Sequence, residues 1–347
     1  MKVKAYFPKS KEPLMSKTLG VGIVGCGFVG YGAHVPAFSS MPGARLVAIA
    51  DADQNRREKI TKKYGVQTTY ADYAELCRNP EVELVVVSAP TTLHAQAALA
   101  AIKAGKHVLC EMPLAVTLAE ADEMIDAAQR AGVLLMPSLN FHFTPNYVKA
   151  KQLMDQGAVG TPTFLMYREF IPARDLAKQW PPTSWMWKME ESGGPLYTLA
   201  VWSIDLLRWL TRSDIVQVTA ATKYTVLPKF GGTFGYDASA SVKFGNGMVG
   251  CLQYSATVGE SSTVSALEII GDANTFISAV GNDTCTLLAE DPCKSEWKMK
   301  EPGPRMWGHA QMDEYYVRCV LEGRTPDITP ADGRRAMEIA WQIAKAT

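Results

Sequence analysis

Short apolar runs alternate with helical patterns between Leu19 and Ser138. The runs are separated by amphipathic stretches such as QNRREKITKKYG and LAEADEMIDAAQRAG. This alternation is typical of a parallel sheet whose strands are joined by crossover helices. The apolar runs are LGVGIVG, RLVAIAD, LVVVSAP, HVLCEMP and VLLMPS. The pattern predicts an α/β domain over residues 18–140, preceded by a polar extension, residues 1–17.

A different pattern begins at about Thr163, where longer runs alternate apolar and polar residues with a period of two. Such runs predict an antiparallel sheet. One strong helical segment, PLYTLAVWSIDLLRWL, interrupts them, and GHAQMDEYYVRCVLEG and ADGRRAMEIAWQIAKA return to helix near the C-terminus. We predict a second α/β domain over residues 141–347, built on a large, mostly antiparallel open sheet with C-terminal helices.

Composition narrows the class of partner. Lysine plus arginine and aspartate plus glutamate both number 35, and no basic run creates a local positive field. Nucleic acid and an anionic membrane are therefore poor partners, and a small molecule is expected. No apolar stretch reaches the 18 residues of a membrane span, and the first 17 residues lack the apolar centre of a signal peptide. We expect a soluble, cytoplasmic protein.

Cysteines and histidines show no spacing of a known metal site. The seven cysteines form no Cys-x-x-Cys pair, and the five histidines are scattered along the chain. Reduced thiols, no disulfide and no metal site are the expectation.

The first strand leads into Gly25-Cys26-Gly27-Phe28-Val29-Gly30, a G-x-G-x-x-G placed where a strand turns into a helix. In a dinucleotide site, Gly25 permits the tight turn and Gly27 lets the backbone approach a pyrophosphate. Gly30 lets the helix pack on the strand, and the anion lies at the helix N-terminus. We expect this turn, Phe28 and Val29 included, to contact a dinucleotide.

The second strand ends at Asp51, 21 residues after Gly30. An acidic side chain at this position accepts hydrogen bonds from the adenosine ribose and repels a 2′-phosphate. NAD is therefore the expected cofactor and NADP a weaker alternative, because Arg56 lies only five residues further on.

Four segments resemble the Gfo/Idh/MocA family of glucose-fructose oxidoreductase, inositol dehydrogenase and rhizopine-catabolism proteins: VGIVGCGFVG, APTTLHAQAALAAIKAGKHVLCEMPLAVT, SGGPLYTLAVWSIDLLRWL and EGRTPDITPADGRRAMEIA. The resemblance implies a Rossmann domain followed by a domain whose open sheet faces the nicotinamide and often mediates homo-oligomer contacts, in a dimer or a tetramer.

The resemblance also implies site residues. Pro90, Thr91 and His94 match the loop that lines the cofactor, although His94 could equally make only a local hydrogen bond. Glu111 matches the glutamate that meets the nicotinamide ribose, and Met112 lies beside it.

Three departures from the family concern proton transfer. The family usually has Glu-Lys-Pro, where this chain has Glu-Met112-Pro, and its helical Asp and His are replaced by Thr198 and Trp202. Because a positioned acid contributes about 100- to 10,000-fold to carbonyl reduction, these losses matter. The remaining candidates for proton transfer are His142, at a position that is often Arg, and Tyr197.

These replacements leave three functional hypotheses. The first is a nicotinamide-dependent oxidoreductase acting on a relatively apolar, conjugated or imine-type small molecule that needs no lysine. The second is a protein that has given up hydride transfer, either a cofactor-sensing regulator or a non-redox enzyme. The third is a sugar or alcohol dehydrogenase whose acid has moved to His142 or Tyr197. The first also requires that some of Trp180, Trp185 and Trp187 face the substrate rather than pack a loop.

Overall fold

The computed structural model describes residues 18–257, 264–289, 294–299 and 307–347. The predicted extension, residues 1–17, lies outside the described residues. The chain divides into two compact units. Among the described residues, one unit comprises 18–140 with 307–335, and the other comprises 141–299 with 336–347. The division falls at the predicted boundary near residue 140, but it groups the first C-terminal helix with the N-terminal unit.

The N-terminal unit is built on a parallel sheet of six strands in the order β3-β2-β1-β4-β5-β6. The strands are buried between helices, as in other parallel sheets. Its strands are β1 (Leu19–Val24), β2 (Ala44–Ala50), β3 (Thr68–Tyr70), β4 (Leu84–Val87), β5 (His107–Cys110) and β6 (Leu135–Pro137). Its helices are α1 (Val35–Phe38), α2 (Gln54–Tyr64), α3 (Tyr73–Arg78), α4 (Thr91–Lys103) and α5 (Leu118–Ala131), with α10 (His309–Glu322) from the end of the chain.

Helix α1 is preceded by a π-helical turn, Gly30–His34, which continues from the glycine-rich turn after β1. Such wide turns occur often at functional sites, because they redirect a side chain without ending the helix. Here the side chain at the end of the turn is His34, which is fully buried.

The C-terminal unit is built on a sheet of eight strands in the order β14-β13-β12-β11-β7-β10-β9-β8, antiparallel except where β7 pairs with β10. Its strands are β7 (Pro162–Phe170), β8 (Ile215–Leu227), β9 (Thr233–Phe244), β10 (Val249–Ser255), β11 (Val264–Gly271), β12 (Phe276–Val280), β13 (Thr284–Leu288) and β14 (Lys294–Lys298). Its helices are α6 (Pro145–Asp155), α7 (Ala173–Gln179), α8 (Met189–Ser192) and α9 (Pro195–Thr211), and α11 (Pro330–Ala344) begins in the other unit and ends in this one.

One face of this sheet is buried. Leu165, Tyr167, Leu252 and Leu267 are all fully buried, and strand register places them on the same face. The predicted α/β class and mostly antiparallel second sheet are confirmed. Among the described residues, no helix combines the length and apolar character needed to cross a lipid bilayer.

Candidate active site

The glycine-rich turn has the backbone geometry that requires glycine at two positions. Gly25 has φ of 90°, and a Cβ atom there would lie 2.4 Å from the Ala89 nitrogen. A Cβ at Gly30 would lie 2.1 Å from the Gly25 carbonyl oxygen. Among the described residues, a Cβ at Gly27 would have one neighbour within 4 Å, the Arg56 guanidinium at 3.8 Å. The turn therefore packs closely against other backbone atoms at Gly25 and Gly30 but leaves space at Gly27. This arrangement fits a turn that binds a pyrophosphate.

Asp51 lies beside this turn at the end of β2. One carboxylate oxygen accepts a hydrogen bond from the Cys26 backbone N–H at 2.7 Å, and the other accepts one from Asp53 N–H at 2.9 Å. The Arg56 guanidinium is 3.6 Å from the carboxylate and half exposed. Phe28 is 42% exposed, and Val29 is half-buried. The carboxylate is therefore fixed next to the turn, where a ribose hydroxyl would require it.

The loop after β4 holds His94 between two backbone carbonyls. Pro90 caps α4, and Thr91 begins it as a buried residue. The His94 Nδ1 atom lies 2.8 Å from the Pro113 oxygen, and Nε2 lies 2.8 Å from the Ala89 oxygen. Burial lowers the pKa of His94, although both carbonyls oppose the shift. These contacts match the local hydrogen-bonding alternative and join the loops that follow β4 and β5.

A buried polar cluster surrounds Glu111, directly after β5. The His34 Nε2 atom lies 2.9 Å from Glu111 Oε1, and His34 Nδ1 lies 3.0 Å from an Asp313 oxygen. Ser138 donates a hydrogen bond to Glu111 Oε1. The His309 Nε2 atom is 3.5 Å from that same oxygen. Four segments that are distant in sequence therefore meet at one carboxylate.

The charges in this cluster stabilise one another. Burial alone would raise the pKa of Glu111, but hydrogen bonds and charges from His309 and His34 lower it far below its ordinary value. Burial alone would lower the pKa of His34, but the Asp313 charge and hydrogen bonds from Asp313 and Glu111 raise it to about 10. Glu111 is thus a fixed anion beside a buried imidazolium.

The scattered histidine spacing gave no sign of this cluster. The possible ligand atoms of His34, Glu111 and His309 lie within 4.8 Å of one another, so the donor set could in principle hold a metal ion. However, His34 has a carboxylate at each ring nitrogen, and a metal ion would have to displace the proton at Nε2. The geometry fits an imidazolium between two carboxylates better than a metal centre.

Met112, which follows Glu111, is 3% exposed. Its thioether has no proton to exchange, so it can serve only as an apolar wall at this strand end.

In the C-terminal unit, Thr198, Trp202, Asp205 and Trp209 lie along one face of α9, as their spacing requires. The Thr198 hydroxyl lies 3.0 Å from the Gly194 carbonyl oxygen and donates toward the helix backbone. Its single proton is therefore engaged locally. Trp202 is half-buried.

His142 pairs with Asp205 near the middle of α9. Its Nε2 atom lies 2.6 Å from an Asp205 oxygen, and its ring stacks on Trp209 at a centroid distance of 4.3 Å. Its Nδ1 atom is buried and has no hydrogen-bond partner among the described residues. The carboxylate fixes the ring orientation, but Nδ1 has no surface at which a substrate could meet it.

Two further aromatic candidates are packed. Tyr197 is fully buried and stacks on Trp341 at 4.5 Å. The Trp187 indole N–H donates to the Trp180 carbonyl oxygen at 2.9 Å, and its ring meets the Phe234 ring edge-on. For Tyr197 and Trp187, the contacts are those of packing side chains.

Sequence reasoning missed Glu169, near the end of β7. The Tyr167 hydroxyl donates to its carboxyl group at 2.7 Å, and burial raises its pKa to about 7. The signal was present in TPTFLMYREF, because period-two alternation places Glu169 on the same face as Leu165 and Tyr167.

Comparisons with known proteins agree with this geometry. The family described as "Oxidoreductase family, NAD-binding Rossmann fold" matches residues 19–139, and the "GFO/IDH/MocA C-terminal domain" matches residues 147–277. The chain belongs to the Gfo/Idh/MocA family. It is accordingly an oxidoreductase, and its cofactor is NAD, as the glycine-rich turn and Asp51 predict.

Three relatives span nearly the whole chain. Myo-inositol 2-dehydrogenase of Thermotoga maritima is 26% identical over 94% of this chain and 95% of its own. The NAD(+)-dependent scyllo-inositol 2-dehydrogenase of Bacillus subtilis is 25% identical over 94% of this chain and 93% of its own. The crystal structure of GenD2 from gentamicin A biosynthesis, in complex with NAD, is 25% identical, covers 98% of this chain and 96% of its own, and has a TM-score of 0.81.

Proposed function

We propose that this protein is an NAD-dependent dehydrogenase that interconverts a hydroxyl group and a ketone on a small polyhydroxylated compound, of the cyclitol or sugar class. The observation that carries the proposal is the polar end of the buried face of the C-terminal sheet. Glu169, Tyr167 and Ser265 meet there at neighbouring strand ends. Hydroxyl and carboxyl groups suit a hydroxylated substrate, and two full-length relatives act on inositols by name.

Different residues of the chain would bind the cofactor and shape the substrate site. The turn from Gly25 to Gly30 would hold the pyrophosphate of the dinucleotide, because it is open at Gly27. The Asp51 carboxylate, which is fixed beside this turn, would hold the ribose. When bound, NAD⁺ supplies the two-electron acceptor for the hydride of the carbinol carbon. Met112 has no exchangeable proton, and the Thr198 hydroxyl proton is donated to backbone carbonyls, so the substrate proton must be handled elsewhere.

A second candidate keeps the same cofactor but changes the acceptor. Reduction of a conjugated C=C bond or an iminium ion needs less acid catalysis, because the substrate delocalises or neutralises the charge that forms. The Thr198 hydroxyl, which donates to the backbone, favours this alternative. The packing of Trp187 against Phe234 weakens it, because an apolar pocket needs tryptophans that face the substrate.

A substrate screen separates the two. Purified protein is given NAD⁺ with inositols, aldoses and other polyols, and separately NADH with enones and cyclic imines, and absorbance at 340 nm is followed. We expect NADH formation with at least one polyol. Turnover confined to enones or imines would overturn the proposal, as would failure to oxidise any polyol while NAD binds. Asp51→Ala serves as the control for cofactor-dependent signal.

We further propose that the open face of the C-terminal sheet joins copies of this chain in a homo-oligomer. Strand register aligns Val249, Phe164, Ile270 and Phe276 in one row across four strands. Three of these, Val249, Ile270 and Phe276, are 36 to 47% exposed. An exposed apolar row of this kind fits a protein interface. Light scattering should show a smaller particle for Ile270→Lys than for a surface control, Glu58→Lys on α2.

A further inference from the structure

Glu169 lies on the buried face of the C-terminal sheet. Leu165 and Tyr167, four and two residues before it on β7, are both fully buried on this face. Register places Tyr254 of β10 and Ser265 of β11 directly beside Glu169. Glu169 itself keeps an intermediate exposure at the end of the strand. It is thus an inward carboxyl group that keeps part of its surface exposed.

Hydroxyl groups surround this carboxyl group. Tyr167 donates to Glu169 Oε2 at 2.7 Å, and the Ser265 hydroxyl lies 3.5 Å from the Tyr167 oxygen and 2.8 Å from that of Tyr147. Tyr254 points elsewhere: its hydroxyl lies 2.8 Å from that of Ser203. Among the described residues, Tyr167 is the one hydrogen-bond donor to the Glu169 carboxyl group.

The titratable groups around Glu169 are phenols rather than cations in the part of the chain that the structure describes. The titratable groups that face it are Tyr147 on α6, Tyr167 on β7, Tyr236 on β9 and Tyr254 on β10, and the nearby carboxylate contributes to a raised pKa at all four. Among the described residues, none of the groups that shift its pKa is a lysine, arginine or histidine. Burial therefore raises the pKa of Glu169 to about 7, and the Tyr167 hydrogen bond opposes this only in part.

We propose that Glu169 is the catalytic acid and base of this protein, in place of the lysine, aspartate and histidine that its family usually carries. This inference rests on the dehydrogenase function proposed above. In the oxidative direction, the substrate O–H bond breaks and its proton passes to the Glu169 carboxylate. The C–O bond becomes C=O as the C–H bond breaks, and hydride leaves with its electron pair to the oxidised cofactor. The proton then passes to water, which restores the carboxylate.

Two features favour Glu169 over the other buried candidate. His142 is held by Asp205, and its remaining ring nitrogen is buried. Glu169 keeps accessible surface and titrates where an acid and base is most effective, near neutral pH. A partly exposed carboxyl group whose pKa is raised by burial is a candidate for proton transfer.

Glu169→Gln tests the proposal, because the amide keeps the shape and can still accept from Tyr167 but exchanges no proton. With a polyol substrate, we expect kcat to fall about 100-fold or more, KM to change little, and the kcat–pH limb near neutrality to disappear. Glu169→Asp should recover part of kcat. Glu58→Gln, an exposed glutamate on α2, is the control and should behave as wild type.

A direct titration supplies a readout that does not depend on turnover. In protein labelled with ¹³C at glutamate Cδ, one resonance should titrate near pH 7 and be missing from Glu169→Gln. A Glu169 resonance that titrates near the ordinary glutamate value would overturn the proposal. A Glu169→Gln variant that keeps wild-type kcat and the limb of the kcat–pH profile near neutrality would also overturn it. If His142→Gln alone then lost that limb, the proton transfer would be assigned to His142. Wild type that oxidises no polyol would instead overturn the dehydrogenase function itself.

Discussion

Glu111, which is buried, and Glu169, which is partly buried, lie at the ends of strands, one in each unit, and their environments shift their pKa values in opposite directions. Burial raises the pKa of both. At Glu111 the positive charge of His34 and the proximity of His309 reverse this effect, and the pKa lies far below its ordinary value. At Glu169 the neighbours are phenols, and the pKa stays near 7. The charge of the partner therefore decides whether a buried carboxyl group is a fixed anion or a proton carrier.

The difference suits the two positions to different tasks. A fixed anion that is already bonded to His34 and Ser138 can orient hydroxyl groups but does not exchange protons near neutral pH. Glu169, which among the described residues has a single hydrogen-bond donor and no neighbouring cation, can do so. On the proposal above, Glu111 holds the buried polar cluster together and Glu169 transfers the proton.

The largest predicted effect is on stability. Glu111→Gln leaves the buried imidazolium of His34 with one carboxylate instead of two, and removing one partner of a buried ion pair costs about 3–5 kcal/mol. Urea unfolding at pH 7 should show a loss of this order. The control is Asp122→Asn, which removes an exposed ion pair with Arg334 and should cost about 1 kcal/mol or less. Equal losses would show that the Glu111 cluster is not a charged network.

The second prediction concerns the pH dependence of stability. The folded-state pKa of Glu169 is about 7, above its ordinary value of 4.5, so its stabilising contribution is complete below about pH 4.5 and is lost as the pH rises through 7. Glu169→Gln lacks this titration. The free energy of unfolding of Glu169→Gln, relative to that of wild type, should therefore increase by roughly 1–3 kcal/mol as the pH rises from about 5 to 8.5. A constant difference across that range would place the Glu169 pKa at its ordinary value.

The sequence predicted most of the framework because the framework depends on local patterns. All five apolar runs of the first half became strands, and the glycine turn has the backbone that its spacing implies. Strand β3 was missed, since its three residues TTY are only half-buried and carry little pattern. The Glu111 cluster could not be predicted, because His34 and Asp313 are 279 residues apart and only the fold brings them together. Glu169 was predictable in part: alternation placed it inward, but its ring of tyrosines comes from four separate elements.

A third carboxylate, Asp51, extends the comparison, because its hydrogen bonds come from backbone N–H groups and the cation paired with it, Arg56, is half exposed. Asp51→Ala should weaken NADH binding about tenfold, the loss of about 1.4 kcal/mol expected for one or two hydrogen bonds to ribose. Fluorescence titration with NADH and NADPH would measure this, and wild type should prefer NADH. Equal or tighter binding of NADPH by wild type would show that Arg56 dominates the site.

The smallest effect is expected beside Glu111 itself, at Met112. If Glu169 carries the proton, the thioether is only an apolar wall, and Met112→Leu, which keeps similar volume, should change kcat by about threefold or less. Met112→Lys restores the residue that the family usually has, but the new ammonium enters a position that is 3% exposed, where burial lowers its pKa. It would also lack the aspartate and histidine that Thr198 and Trp202 replace. We therefore expect Met112→Lys not to exceed wild-type kcat on any polyol and not to restore turnover to Glu169→Gln. A Met112→Lys, Glu169→Gln double variant with wild-type kcat would show that position 112, and not the C-terminal sheet, determines where the proton goes.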